Sequence, residues 1–185
     1  MYSLMRCMVN ALEYFGGVPK VVLTDRMKTV LIGMEAGNPL WNKRFEEFAA
    51  DIGFIPKVCR PRRPQTKGKV ERLVEYVKDN FLPGRQFKDI DDLNHQALEW
   101  CTRVDSKPHG TTGDIPLKAL SEEPLLNLPA KEILYKYRWE ARKVTIDGFI
   151  SYDGIRYGVP WQFSRKEVRV RVLQDNLEIY DGEVL

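Results

Sequence analysis

The hydrophobic pattern of this 185-residue chain changes period once, and that change limits what it can fold into. Up to about residue 87, helical spacing alternates with short continuous apolar runs. Leu4, Met5, Met8, Leu12 and Phe15 mark a helix that Gly16-Gly17 closes. Val21-Val22-Leu23 reads as a buried strand of a mixed or parallel sheet, ending at Thr24-Asp25. Beyond a polar, glycine-containing loop from Gly33 to Pro39, Trp41, Phe45, Phe48, Ala49 and Ile52 predict a second helix stopped by Gly53, and Phe54 to Cys59 a second strand. The prolines and glycine between Arg60 and Lys69 predict a loop, after which Val70, Leu73, Val74, Val77 and Phe81 form the apolar face of a third helix ending near Pro83-Gly84. Helix, strand, helix, strand, helix is the pattern of an α/β sheet domain.

Residues 88 to 103 predict a further helix with Asp91-Asp92 near its start, and residues 104 to 130, rich in Pro, Gly, Ser and Thr, a segment that wraps a surface. From about Tyr137 the period becomes two. Val144-Thr-Ile, Phe149-Ile-Ser-Tyr, Ile155-Arg-Tyr-Gly-Val, Val168-Arg-Val-Arg-Val and Leu177-Glu-Ile-Tyr are separated by Asp147-Gly148, Asp153-Gly154, Asp175-Asn176 and Asp181-Gly182. This is a small all-β module of about five strands. The expected organisation is therefore 1–87 as the α/β part, 88–137 as a helical and extended connector, and 138–185 as the β module.

A net charge of +3 hides an uneven distribution: residues 1 to 88 carry 16 basic and 9 acidic side chains, and both later segments are weakly acidic. Residues 57 to 72 alone hold Lys57, Arg60, Arg62, Arg63, Lys67, Lys69 and Arg72 against a single acid, Glu71. Such a cationic segment suits phosphate oxygens, and the ordinary alternative is a solvated loop. No apolar run reaches the roughly 18 to 20 residues of a membrane helix, and the N-terminus has no signal-peptide pattern. Cys7, Cys59 and Cys101 are too scattered for a metal site and read as reduced thiols of a cytoplasmic protein. His95 and His109 stand alone and read as structural or surface residues.

Two carboxylates stand out by context. Asp25 closes a strand, the usual place for chemistry in α/β sheets, and Glu71 sits inside the cationic segment. Oxygen donors beside a phosphate-binding surface are what a magnesium ion requires. Glu71, Glu75 and Lys78 fall at helical spacing on one face, Glu75 and Lys78 reading as a surface ion pair. In the β module Arg169 and Arg171 alternate with Val168, Val170 and Val172, and read equally as a DNA contact or as a solvated strand face. Tyr152, Tyr157 and Trp161 are able to stack on bases, but in so small a module aromatic residues read first as core.

Val22-Leu-Thr-Asp25, then Pro64-Gln-Thr-Lys-Gly-Lys-Val-Glu71-Arg72, with Lys78 seven residues past the glutamate and a β module behind, resembles the retroviral-integrase-like DDE transposases, and within them the IstA-type transposases of bacterial insertion sequences. The resemblance implies an RNase H-like core, N-terminally truncated, a helical connector, and a small β-barrel of the phage Mu transposase type. It implies Asp25 and Glu71 as catalytic, metal-binding residues, two Mg²⁺ (or Mn²⁺) ions in the complete site, and phosphoryl transfer in DNA strand cleavage and transfer. Arg60, Arg62, Arg63, Lys67, Lys69, Arg72, Lys78, Arg169 and Arg171 would contact DNA. The implied partners are transposon ends and target DNA, an AAA+ ATPase helper and further copies in a homo-multimer on DNA. The implied location is the bacterial cytoplasm at the nucleoid, with no membrane. One departure matters: Glu13 is the only acid before Asp25, so the family's first Asp has no counterpart. The expectation is a chain inactive by itself, the alternative being a non-catalytic DNA-binding or transpososome-assembly fragment. A carboxylate-pair glycosidase would leave the cationic segment unexplained.

Overall fold

Helix α1 (Tyr2–Phe15) stops at the glycine pair, where Gly16 adopts φ 73°, ψ 15° and turns its N–H onto the carbonyls of Glu13 and Leu12. Gly17 follows for a different reason. A Cβ there would lie 2.7 Å from Leu125 Cβ, and the chain next pairs Val18 with Leu126 in an isolated antiparallel bridge. This computed structural model describes residues 1–59, 64–173 and 176–181, without the side chains of 64–70, 172 and 173. The chain forms two units: Gly17–Asn127, and Met1–Gly16 together with Leu128–Leu185.

In the first of these, β1 (Val21–Thr24) pairs in parallel with β4 (Ile55–Val58), Val21 opposite Ile55 and Thr24 opposite Val58. Between them run a hairpin, β2 (Leu31–Glu35) with β3 (Asn38–Trp41), and helix α2 (Lys43–Ile52). Asn42 caps α2 by accepting a hydrogen bond from the Arg44 N–H at 3.0 Å, and Gly53 ends it at φ 95°. The inward face of α2 puts Phe45 and Phe48 against Phe54, with ring centroids 5.8 to 6.2 Å apart, and all three are buried. Each such ring contributes roughly 1.5–3 kcal/mol from apolar burial. Helices α3 (Pro64–Asn80), α4 (Ile90–Asp105) and the short α5 (Pro116–Glu122) complete the unit.

Three expectations need correction here. The segment expected as a loop from Gly33 to Pro39 lies in the hairpin, whose turn is made by Ala36 and Gly37 at φ 48° and 83°. Trp41 accordingly ends β3 and packs on Phe45 at 5.9 Å rather than starting the helix. Residues 64–69 are helical, because Pro64 stands at the first position of α3, where its missing N–H removes no intrahelical bond. Finally, β1 is not buried: Val21 and Leu23 are 40% and 50% exposed, and Ile55 is 61% exposed. Among the described residues β1 and β4 pair only with each other, so one face of the pair is uncovered.

The other unit contains α1, α6 (Lys131–Lys136) and five strands: β5 (Glu140–Lys143), β6 (Phe149–Tyr152), β7 (Ile155–Gly158), β8 (Glu167–Leu173) and β9 (Asn176–Tyr180). Five strands form, as expected, but the first is Glu140–Lys143 rather than Val144–Ile146, which follow it as a loop, and the expected barrel is not closed among the described residues. The described residues form a three-stranded antiparallel sheet ordered β5-β8-β9 and a separate β6-β7 hairpin, with no closed barrel. Val144, Ile150, Val168 and Val170 make its core, lined by Tyr152, Tyr157, Phe163 and Ile179. Glu13 of α1 is ion-paired with Arg138, and the Arg142 guanidinium lies 5.7 Å from the Tyr2 ring centroid. The architecture is mixed α/β with small sheets.

Candidate active site and nucleic-acid interface

The parallel pair β1/β4 ends on one side at Thr24 and Val58, and the Cys59 N–H donates to the Thr24 carbonyl at 2.9 Å. Asp25 thus leaves the sheet beside the point where the cationic segment begins. Its exposed carboxylate is turned by the local chain: Oδ1 accepts from the Met27 N–H at 3.1 Å, while the Thr24 hydroxyl donates to the Asp25 carbonyl at 3.1 Å. An aspartate that bonds the backbone two residues on fixes its own turn and keeps its second oxygen available. Parallel strands place ligands at their carboxyl ends, which is where this carboxylate sits.

Arg60, Arg62 and Arg63 lie outside the described residues, and Lys67 and Lys69 are placed only as positions on the first turns of α3. Glu71, Arg72 and Lys78 follow on the same helix, all exposed. The helix is anchored at its far end: the Tyr76 and Phe81 rings lie 5.7 and 5.5 Å from Trp100 of α4. Arg85 stacks 4.0 Å over Phe81, donating to the Phe81 carbonyl at 2.7 Å and to Gln96 Oε1 at 2.9 Å. Leu73 and Val74, expected to face inward, are 62% and 46% exposed. Asp25 therefore follows β1, and Glu71 lies on α3, the element that comes after β1's parallel partner β4. Among the described residues no group of three or more His, Cys, Asp and Glu side chains gathers to hold a metal ion.

In the β module, Arg169 is exposed on the outward face of the central strand, opposite Ala141 and Tyr180. Arg171 shares that face but is engaged. Its Nε donates to Glu178 Oε2 at 2.5 Å, its guanidinium stacks 4.4 Å from the Trp139 ring, and the Tyr180 hydroxyl donates to the same Glu178 oxygen at 3.0 Å. The Arg171 hydrogen bond, helped by Tyr180, holds the Glu178 carboxyl below the usual carboxylate range. The same carboxylate raises the Arg171 pKa. Of the aromatic residues weighed for stacking, Tyr152 and Tyr157 pack against the core, and burial, then the nearby Glu140 and Asp153, push the Tyr152 hydroxyl up. Trp161 does neither. Sequence reasoning placed it with the core, although Pro160 before it already breaks the alternating pattern.

The integrase core domain family matches residues 53–116, which include Glu71 and Lys78, and the C-terminal domain family of Mu transposase matches residues 128–185. The chain is 45% identical over 179 residues to a protein named as transposase for insertion sequence element IS5376 of Geobacillus stearothermophilus, covering 96% of this chain and 44% of that protein. It is 37% identical over 183 residues to the transposase for insertion sequence element IS21 of Pseudomonas aeruginosa, covering 96% and 47%. With the IS232 transposase of Bacillus thuringiensis the identity is 36%, over 96% of this chain and 42% of the relative. The chain thus carries integrase-core and Mu-transposase C-terminal segments and is similar along nearly its whole length to insertion-sequence transposases, consistent with the C-terminal portion of an IstA-type transposase. It spans somewhat less than half the length of these relatives.

Proposed function

We propose that this chain contributes the second and third carboxylates of a DNA strand-transfer site, Asp25 and Glu71, within an RNase H-like core. The observation that supports this most is the position of Asp25 at the carboxyl end of the parallel pair, beside the segment that leads into the helix of Glu71. Lys67, Lys69, Arg72 and Lys78 would contact phosphates and set the register of the duplex, with Arg60, Arg62 and Arg63 adding charge to the same surface. The integrase-core family generally uses divalent metals, and carboxylate oxygens suit Mg²⁺ or Mn²⁺. Two such groups fit a divalent ion only in part, so an ion held here would need donors beyond these two. Work on transposon ends and target DNA, assembly into a multimer on DNA and cooperation with an AAA+ helper belong to this same reading.

The test is binding of labelled duplex DNA at a series of salt concentrations. Each phosphate contact contributes about 0.9 to the slope of log affinity against log salt, so replacing Lys67, Lys69 and Arg72 with Gln should lower the slope by about 2 to 3. A wild-type chain that fails to bind duplex DNA, or a slope untouched by the triple substitution, would overturn the proposal. Asp25→Asn and Glu71→Gln should leave the slope in place and remove any Mg²⁺-dependent increase in affinity. A second reading, DNA binding without catalysis, is favoured by the lack of a third metal donor among the described residues. It expects Asp25→Ala to change nothing, with or without Mg²⁺.

A further inference from the structure

The turn between β7 and β8 carries a side chain that the fold does not use. Trp161 opens a short 3₁₀ turn (Trp161–Phe163) directly after Pro160 and is 85% exposed, although Phe163, two residues on, packs against the core. A tryptophan left in water forgoes roughly the most burial energy any side chain offers, so its placement at a tip calls for an occupant.

This tip is rigidly built. The Ser164 N–H and the Phe163 N–H donate to the carbonyls of Trp161 and Pro160, both at 2.9 Å. The Ser164 hydroxyl reaches the Ile146 carbonyl at 2.9 Å, and Arg165 N–H donates to the Val144 carbonyl at 3.0 Å. Ile146, on the loop so bonded, is itself 71% exposed. Arg165 is a non-glycine residue at φ 66°, a left-handed conformation that L side chains adopt only when their surroundings impose it. Two exposed apolar side chains thus stand on hydrogen-bonded neighbouring loops, and the chain between Trp161 and β8 carries Arg165 and Lys166, both exposed.

The local charge favours an anion. Arg156 is ion-paired with Asp147, Lys143 faces Glu167 across the sheet, and Asp181 lines the same cavity as Lys166, which leaves one cation in excess among these residues. The Lys166 ammonium lies 5.5 Å from the Phe163 ring centroid and keeps its charge beside the tip. An exposed aromatic side chain followed in the same turn by two cations suits stacking on a nucleobase with neutralisation of the neighbouring phosphates.

We infer that the 161–166 turn is a DNA contact, in which Trp161 stacks on an unpaired or splayed base and Arg165 and Lys166 hold the adjoining phosphates. The inference rests on the proposed DNA function and adds a second contact point, independent of α3.

The experiment measures binding of the full chain to a labelled duplex bearing a short single-stranded tail, and to the same duplex with blunt ends, across salt concentrations. Trp161→Ala should weaken binding to the tailed DNA by roughly tenfold with the salt slope unchanged, and the blunt duplex by much less. Trp161→Phe should restore most of the loss, because a ring remains. Replacing Arg165 and Lys166 with Gln should lower the salt slope by about 2. Wild-type affinity and slope in Trp161→Ala, with binding still lost in the α3 triple substitution, would overturn this inference alone and point to a protein partner at the tip. Failure of the wild-type chain to bind any DNA would overturn both readings. Since Trp161 is exposed, circular dichroism and melting of its variants should match the wild type.

Discussion

Arg171 and Glu178 illustrate how one side chain decides whether a charge belongs to a ligand surface or to the fold. Arg171 alternates with valines on β8 as Arg169 does, yet it is stacked on Trp139 and bonded to Glu178. A carboxyl whose folded pKa lies below its ordinary value of about 4.5 adds stability above that value and loses it as the pH falls through the folded pKa. Glu178→Gln should therefore melt lower than wild type near neutral pH, and the gap should close as the pH is taken from about 6 to about 3. A constant gap over that range would show that packing, not charge, supports the network. The sequence located Arg171 on a strand but not its partner, because the β8–β9 register sets Arg171 opposite Glu178 and alternation alone cannot supply that register.

Among the elements, those with a strong single signal were read correctly and those with mixed signals were not. Helix α2 has the apolar stripe Phe45, Phe48, Ala49 and Ile52 and the Gly53 stop where the pattern put them, while its Asn42 cap and the place of Trp41 before it emerge only from the structure. Phe48→Ala, at 0% exposure against Phe45 and Phe54, should cost about 3–5 kcal/mol in chemical denaturation, whereas Leu73→Ala on the open face of α3 should cost under about 1. Comparable losses at both sites would mean that α3 is covered in solution. The β2–β3 hairpin was missed because Gly33 and Pro39 interrupt its alternation and its Ala36-Gly37 turn lacks the usual Asn-Gly or Asp-Gly signature. The start of α3 was missed because Pro64 and Gly68 read as breakers, although proline is tolerated at a first helical position. For the candidate site, the sequence located Asp25 at a strand end and Glu71 on a helix, but the hydrogen bond from Cys59 to Thr24 that brings the two segments together depends on a parallel pairing no local pattern encodes.

For the whole molecule, the uncovered face of the β1/β4 pair is the dominant feature. Val21, Leu23 and Ile55 lie on the same side of two strands that, among the described residues, pair only with each other, an arrangement that invites other chains. Sedimentation velocity should show concentration-dependent self-association of this chain, reduced in a Leu23→Lys, Ile55→Lys variant; a monomer at all concentrations would show that the face is not adhesive. The positions of the glycines at 16 and 17 have a further consequence. The chain leaves one unit at Gly16, builds the other through Asn127, and only then returns, so α1 and the strands beside it are separated by an entire inserted unit. During synthesis on a ribosome, which releases the chain from its N-terminal end, α1 emerges long before β5 to β9 exist. The face of Met5, Val9 and Leu12, buried in the folded chain, cannot be covered by those strands until the last of them has been made.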